Sequence, residues 1–195
     1  MISYAEMAAS YVDKRLAVME NSKNAPKVRA ILARLRRGID KHPGENADIW
    51  EVTLSDIDEQ LQSQDGEPTH AEWAIHLALC LFANHQQGKD INSDCMNKKG
   101  WCLGSAIRKL KSNDSEESDP IKRRFNVLAT SGDIDEFAHH LRGMVQLLKA
   151  NAIPLDYKQL TKDIYDFMIP ERRNSLRLRW GQDFYGSSKQ DNNEK

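Results

Sequence analysis

A run of about eighteen apolar residues, the least that a membrane-spanning helix needs, occurs nowhere in this chain. The opening MISYAEMAAS also lacks the basic, apolar and small-residue succession of a signal peptide. Both absences predict a soluble, cytoplasmic protein without membrane contact. Cysteine is scarce: Cys80, Cys95 and Cys102 are odd in number and none is spaced as C-x2-C, which argues against a disulfide framework and a zinc ribbon. His76 and His85 lie near those cysteines, and His139 and His140 are adjacent, yet neither a C-x2-C nor an H-x3-H pair, the usual zinc spacings, occurs. No metal and no cofactor are expected. Catalytic signatures are missing too, among them Walker A, H-E-x-x-H, G-x-S-x-G and the Gly-rich dinucleotide loop. Asp56 and Glu59 read as solvated surface carboxylates rather than a general acid and base. The chain is expected not to be an enzyme.

Net charge is lacking as well, at -1 with 28 basic and 29 acidic side chains. A uniformly basic domain is therefore excluded, and any affinity for a polyanion must come from charge segregation. Segregation is present: residues 45–67 hold eight acids and no Lys or Arg, whereas residues 98–111 hold five bases and no acid. An apolar fraction of 39% with 29% charged residues favours broad polar interfaces over a deep pocket.

Helical periods run through most of the chain, and the fold expected is all-α, a bundle of about eight to ten helices in two packed lobes. Residues 4–20 form a first amphipathic segment and 26–41 a second. Thr69 and Glu72 make a capping box before the most apolar segment, EWAIHLALCLFANHQQ, which Gly88 closes. Residues 89–100 read as a polar loop, and helix resumes from Leu103. Further starts are marked by Asp119 with Pro120, Asp133 with Glu136, Asp156, and Pro170. The window 49–54 looks strand-like in isolation, and a short helix is expected over 55–62. The acidic, serine-containing KSNDSEESD stretch predicts a boundary between lobes at 1–112 and 119–185, with 186–195 a disordered tail.

Four basic clusters stand out. In PKVRAILARLRRGIDK six bases and one acid share a helix whose apolar stripe is Val28, Ile31, Leu32, Leu35 and Ile39. Arg29 and Arg36 flank it on one side; Arg34 and Arg37 lie on the other. Lys98, Lys99, Arg108 and Lys109 form a second cluster, and Lys122, Arg123 and Arg124 a third at a helix start, where cations oppose the dipole unless an anion arrives. Arg172, Arg173, Arg177 and Arg179 border Ile169, Leu176 and Trp180 in the fourth. Guanidinium forks match phosphate oxygens and stay charged at any working pH, so these residues, with Arg142, are the candidate nucleic-acid contacts. The aromatics fit the core, with Trp101 a candidate for stacking on a base. A helical protein–protein adaptor, its acidic segment meeting basic partners, is the alternative reading.

The order of elements RAILARLRRGIDKHPGE, EWAIHLALCLFANHQQ, CLGSAIRKL, DPIKRRFNVLATSGDIDEFAHHLRGMVQLL, PLDYKQLTKDIYDF and LRLRWGQDFY resembles the CasB family, the small subunit of the type I-E CRISPR complex Cascade. The resemblance implies a non-catalytic all-helical protein present in two copies. Its partners would be the crRNA, the target and displaced DNA strands, the Cascade backbone and large subunits, and a second copy of itself. The family's nucleic-acid contacts would carry over to Arg36, Arg37, Lys122, Arg123, Arg124, Arg142 and Arg108. Ser105, His139 and His140 depart from the more basic residues that family members can carry there.

Overall fold

In the computed structural model, residues 3–110 and 120–186 are described, and they form nine α-helices. These are α1 (Tyr4–Glu20), α2 (Ala25–Arg37), α3 (Trp50–Thr53), α4 (His70–His85), α5 (Leu103–Arg108), α6 (Pro120–Thr130), α7 (Ile134–Ala150), α8 (Tyr157–Phe167) and α9 (Pro170–Tyr185). Among the described residues the only sheet-like pairing is one parallel bridge between Asn97 and Leu155. The protein is all-α.

Helix α4 is central because its sequence is apolar almost all round, and such a helix must be covered on every side. Twelve of its 16 residues are buried, and α1, α2, α7 and α8 all pack on it. Its start is fixed by the expected capping box: Thr69 Oγ1 accepts from the Glu72 amide at 3.1 Å and Glu72 Oε2 from the Thr69 amide at 2.8 Å. Asp133 and Asp156 cap α7 and α8 in the same way, each accepting at 2.9 Å from the amide three residues on. The second Asp156 oxygen takes the Gly100 amide at 2.8 Å, so one carboxylate both starts α8 and anchors the polar loop.

Small residues let α1 approach its neighbours closely, with Ala5, Ala8, Ala9 and Val12 buried along its inner side. Its heaviest packing is against α8, and α5 packs chiefly on α9. Phe137, Phe167 and Trp180, one each from α7, α8 and α9, stack with centroid separations of 4.1 and 6.0 Å. One apolar cluster thus joins helices from both halves of the chain. The expected boundary at 112–119 and all but the first residue of the expected tail lie outside the described residues.

Three local expectations are corrected. The strand-like window 49–54 is a 3₁₀ turn leading into α3, because Ile49 and Val52, three apart, both face the core and Thr53 Oγ1 donates to the Ile49 carbonyl at 3.0 Å. The helix expected over 55–62 reduces to the 3₁₀ turn Glu59–Leu61, since Asp56 sits at φ 55°, a left-handed conformation that interrupts helix. Trp50, expected in the core, is 47% exposed, with its indole N–H donating to the Gly44 carbonyl at 3.1 Å.

Candidate nucleic-acid interface

Helix α2 begins at Asn24, whose side chain accepts from the Lys27 amide at 3.0 Å, and ends at Gly38. A Cβ at Gly38 would lie 2.7 Å from Ile49 Cδ1 and 3.1 Å from Cys80 Sγ, so any larger residue here must displace both side chains. Val28, Leu32 and Leu35 are buried, as the stripe predicts, while Ile31 and Ile39 are half-buried. Arg34, Arg36 and Arg37 sit in the last turn, where the helix dipole favours cations.

The two flanks of α2 have different neighbours. On one, Arg37 pairs with Asp48 at 3.4 Å and Arg34 donates to the Asp48 carbonyl at 3.4 Å. On the other, Arg36 donates to the Ala83 carbonyl of α4 at 3.5 Å and Arg29 is exposed. Helix α7 brings Lys149 to the same place, its ammonium donating to Gln87 Oε1 at 2.8 Å. Partial burial, and then the nearby charge of Arg36, lower the Lys149 pKa. Two cations are therefore held together, and no carboxylate pairs with Arg29, Arg36 or Lys149 among the described residues. Two turns back on α7, Arg142 forms an ion pair with Asp40.

Between α2 and the end of α4 lies a groove of about 340 Å³ bordered by Arg29 and Arg36 and floored by Val28, Leu32 and Ile91. Lys149 is not among the basic clusters read from the sequence. Its only local signal is its position seven residues after Arg142, on the same helical face.

A second group forms at the end of α9. Arg108 donates to the Gly186 carbonyl, and Lys122 lies 6.0 Å from the centroid of the Tyr185 ring. Arg123 and Arg124 on α6 are exposed and form no ion pair among the described residues. Lys109 lies over the Trp101 ring at 4.7 Å, so the protein's own cation covers a face of the indole that was a candidate for base stacking. Lys98 and Lys99 are exposed in the polar loop, and Lys99 borders the ion-paired α1–α8 edge, where Lys158 and Lys162 meet Glu6.

The arginines of α9 are all engaged by acceptors of the protein itself. Arg172 pairs with Asp166 at 2.7 Å. Arg173 donates to the carbonyls of Phe167 at 2.6 Å and Gly132 at 2.9 Å, and Arg177 to that of Ala129 at 2.5 Å. Arg179 reaches the buried Asp163 at 2.5 Å, which also accepts from Trp180 Nε1 at 2.6 Å and Gln159 at 2.8 Å. Burial pushes the Asp163 pKa up to about 6, against the lowering effect of Arg179 and of both hydrogen bonds.

His76 and His85 are both buried. His76 Nε2 lies 3.0 Å from the Gly38 carbonyl and His85 Nδ1 3.0 Å from the Tyr157 hydroxyl. Desolvation lowers the His85 pKa to about 4. On α7, His139 is exposed and His140 half-buried. No group of three or more potential metal ligands occurs among the described residues, and no described helix is long and apolar enough to cross a membrane.

Fold and surface together define an all-helical protein with an apolar centre, whose cations lie partly at helix seams and partly on exposed helix and loop surface. The model of the CRISPR-associated protein Cse2 family matches residues 31–185, and the chain belongs to that family, that of a CRISPR-associated protein of the Cascade complex known as a non-catalytic subunit. Crystal structures of CasB proteins share the fold. That from Thermobifida fusca is 31% identical with a TM-score of 0.76, the alignment covering 94% of this chain and 99% of that one. CasB from Thermus thermophilus is 23% identical with a TM-score of 0.66, covering 92% and 98%. M. ruber CasB is 24% identical with a TM-score of 0.62, covering 95% and 94%. No curated protein matches.

Proposed function

We propose that the protein is the non-catalytic nucleic-acid-binding small subunit of a type I-E Cascade, holding crRNA, target DNA and the displaced strand of the R-loop through sequence-independent phosphate contacts. The observation that carries this reading is the meeting of Arg36 and Lys149 beside Arg29 with no carboxylate to neutralise them. Like charges held at one seam repel, and a phosphate oxygen relieves that repulsion. Guide pairing reads the sequence, so an accessory subunit needs only a positive track.

The contacts proposed are Arg29, Arg34, Arg36, Arg37, Lys98, Lys99, Arg108, Lys109, Lys122, Arg123, Arg124 and Arg142, joined now by Lys149. Arg172, Arg173, Arg177 and Arg179 each already bond a carboxylate or carbonyl of the protein itself and are proposed to clamp α9 instead. The Cascade backbone and large subunits and a second copy of the chain are the proposed protein partners. Charge reversal of Arg29 and Arg36 tests the reading: the variant keeps the wild-type melting temperature and loses its gel shift with single-stranded DNA. An unaltered shift rejects the site. No shift by the wild type at any concentration, with retained incorporation into the complex, favours the adaptor reading instead.

A further inference from the structure

Resting on that reading, we infer that the α2–α4 groove seats an unpaired nucleotide, base as well as phosphate, and so makes this site selective for single strands. A site that only follows a backbone needs cations along a surface. This groove has in addition an apolar floor of Val28, Leu32 and Ile91, each nearly buried, and its volume of about 340 Å³ falls within the range of small-ligand clefts, about 300–1,000 Å³. Neither feature serves a phosphate.

The polar groups are arranged unequally along it. Helix α2 runs antiparallel to α4, since Gly38 meets His76 while Arg36, earlier in α2, meets Ala83, later in α4. Arg36 therefore marks one stretch of the groove, with Lys149 just outside it on Gln87, and the turn beyond Gly88 supplies Asp90 and Asn92 to its wall. The Asp90 carboxylate, held by the amides of Asn92 at 2.9 Å and Ser93 at 3.2 Å, repels a phosphate. It suits the N–H groups of a base edge. The phosphate is thus directed to Arg36 and the base to the apolar floor beside Asp90. A base held in a duplex cannot enter.

The test uses the full-length chain with three fluorescein-labelled probes of equal length: an oligothymidylate, a fully abasic strand and a duplex. Burial of one base face predicts that the oligothymidylate binds about tenfold more tightly than the abasic strand. Ala25→Trp, at the groove rim and without change of charge, should bring oligothymidylate binding down to the abasic level while leaving abasic and duplex binding and their salt dependence as they were. Asn92→Trp fills the groove from the exposed turn and gives the same result if the first variant fails to fold. Equal affinity for the base-bearing and abasic strands, or equal losses on all three probes in both variants, overturns the nucleotide seat while salt-dependent binding keeps the phosphate reading intact. Absence of binding to every probe overturns both.

Discussion

Asp163 and His85 are two buried ionisable side chains whose pH effects oppose each other. The Asp163 pKa of about 6 lies above its unfolded value, so its contribution to stability is fully present at low pH and is lost as pH rises towards 6. The His85 pKa of about 4 lies below its unfolded value, so its contribution is present at neutral pH and is lost as pH falls from about 6.5 towards 4. Each shift is worth about 3 kcal/mol, and the two nearly cancel between pH 4 and 6.5. Asp163→Asn therefore unmasks His85: urea melts of the variant should lose stability relative to wild type as pH is lowered from 6.5 to 4.5. A constant difference between the two proteins would contradict the assignment.

Asp40 sits on the other side of the account, as the carboxylate that neutralises Arg142. Exposed pairs of this kind are worth about 0.2–1 kcal/mol. Removing the acid frees a cation, so Asp40→Asn should tighten single-strand binding by up to about fivefold, read by fluorescence anisotropy, with little change in melting temperature.

At the scale of elements, α2 and α9 have one design in sequence, an apolar line bordered by arginines, and different uses in the fold. The α9 guanidinium groups satisfy carbonyls at the α6–α7 turn and a carboxylate in α8, whereas Arg29 and Arg36 of α2 edge an open groove. Arg177→Ala should accordingly lower stability by about 1–3 kcal/mol, since it leaves the Ala129 carbonyl without its donor, while single-strand affinity stays within twofold or so. Glycine plays a comparable role between α5 and α9. A Cβ on Gly104 would press into the Trp180 carbonyl and lie 2.7 Å from Asp183 Cβ. Gly104→Ala should cost about 1–3 kcal/mol in thermal or chemical melts, because helix backbone rather than a flexible side chain must yield.

Much at this scale was legible beforehand. Thr69, Asp133, Asp156 and Pro170 mark helix starts through hydrogen bonds or backbone limits that span only three or four residues, and such signals survive folding. Residues 49–54 misled because a run of six is too short to separate a period of two from one of three. The fates of the basic clusters were hidden for another reason. Arg177 finds its carbonyl 48 residues away and Lys149 its amide 62 residues away, and no local pattern encodes either meeting.

For the whole molecule, near-neutral charge and polyanion binding are compatible because acids and bases occupy different places. The charged side chains of residues 45–67 are all acids, while Arg29 and Arg36 border the α2–α4 groove and the end of α7 brings Lys149 near Arg36. Membership of the Cse2 family gives this segregation a setting, the Cascade complex.

The central claim is that Arg29, Arg36 and Lys149 bind phosphates, and the dependence of affinity on salt measures it most directly. On single strands each phosphate contact adds about 0.7 to the slope of log K against log salt. The account predicts a steep linear fall for the wild-type chain and, for the triple variant Arg29→Gln, Arg36→Gln, Lys149→Gln, a slope smaller by about 2. An identical slope for the two proteins would contradict it.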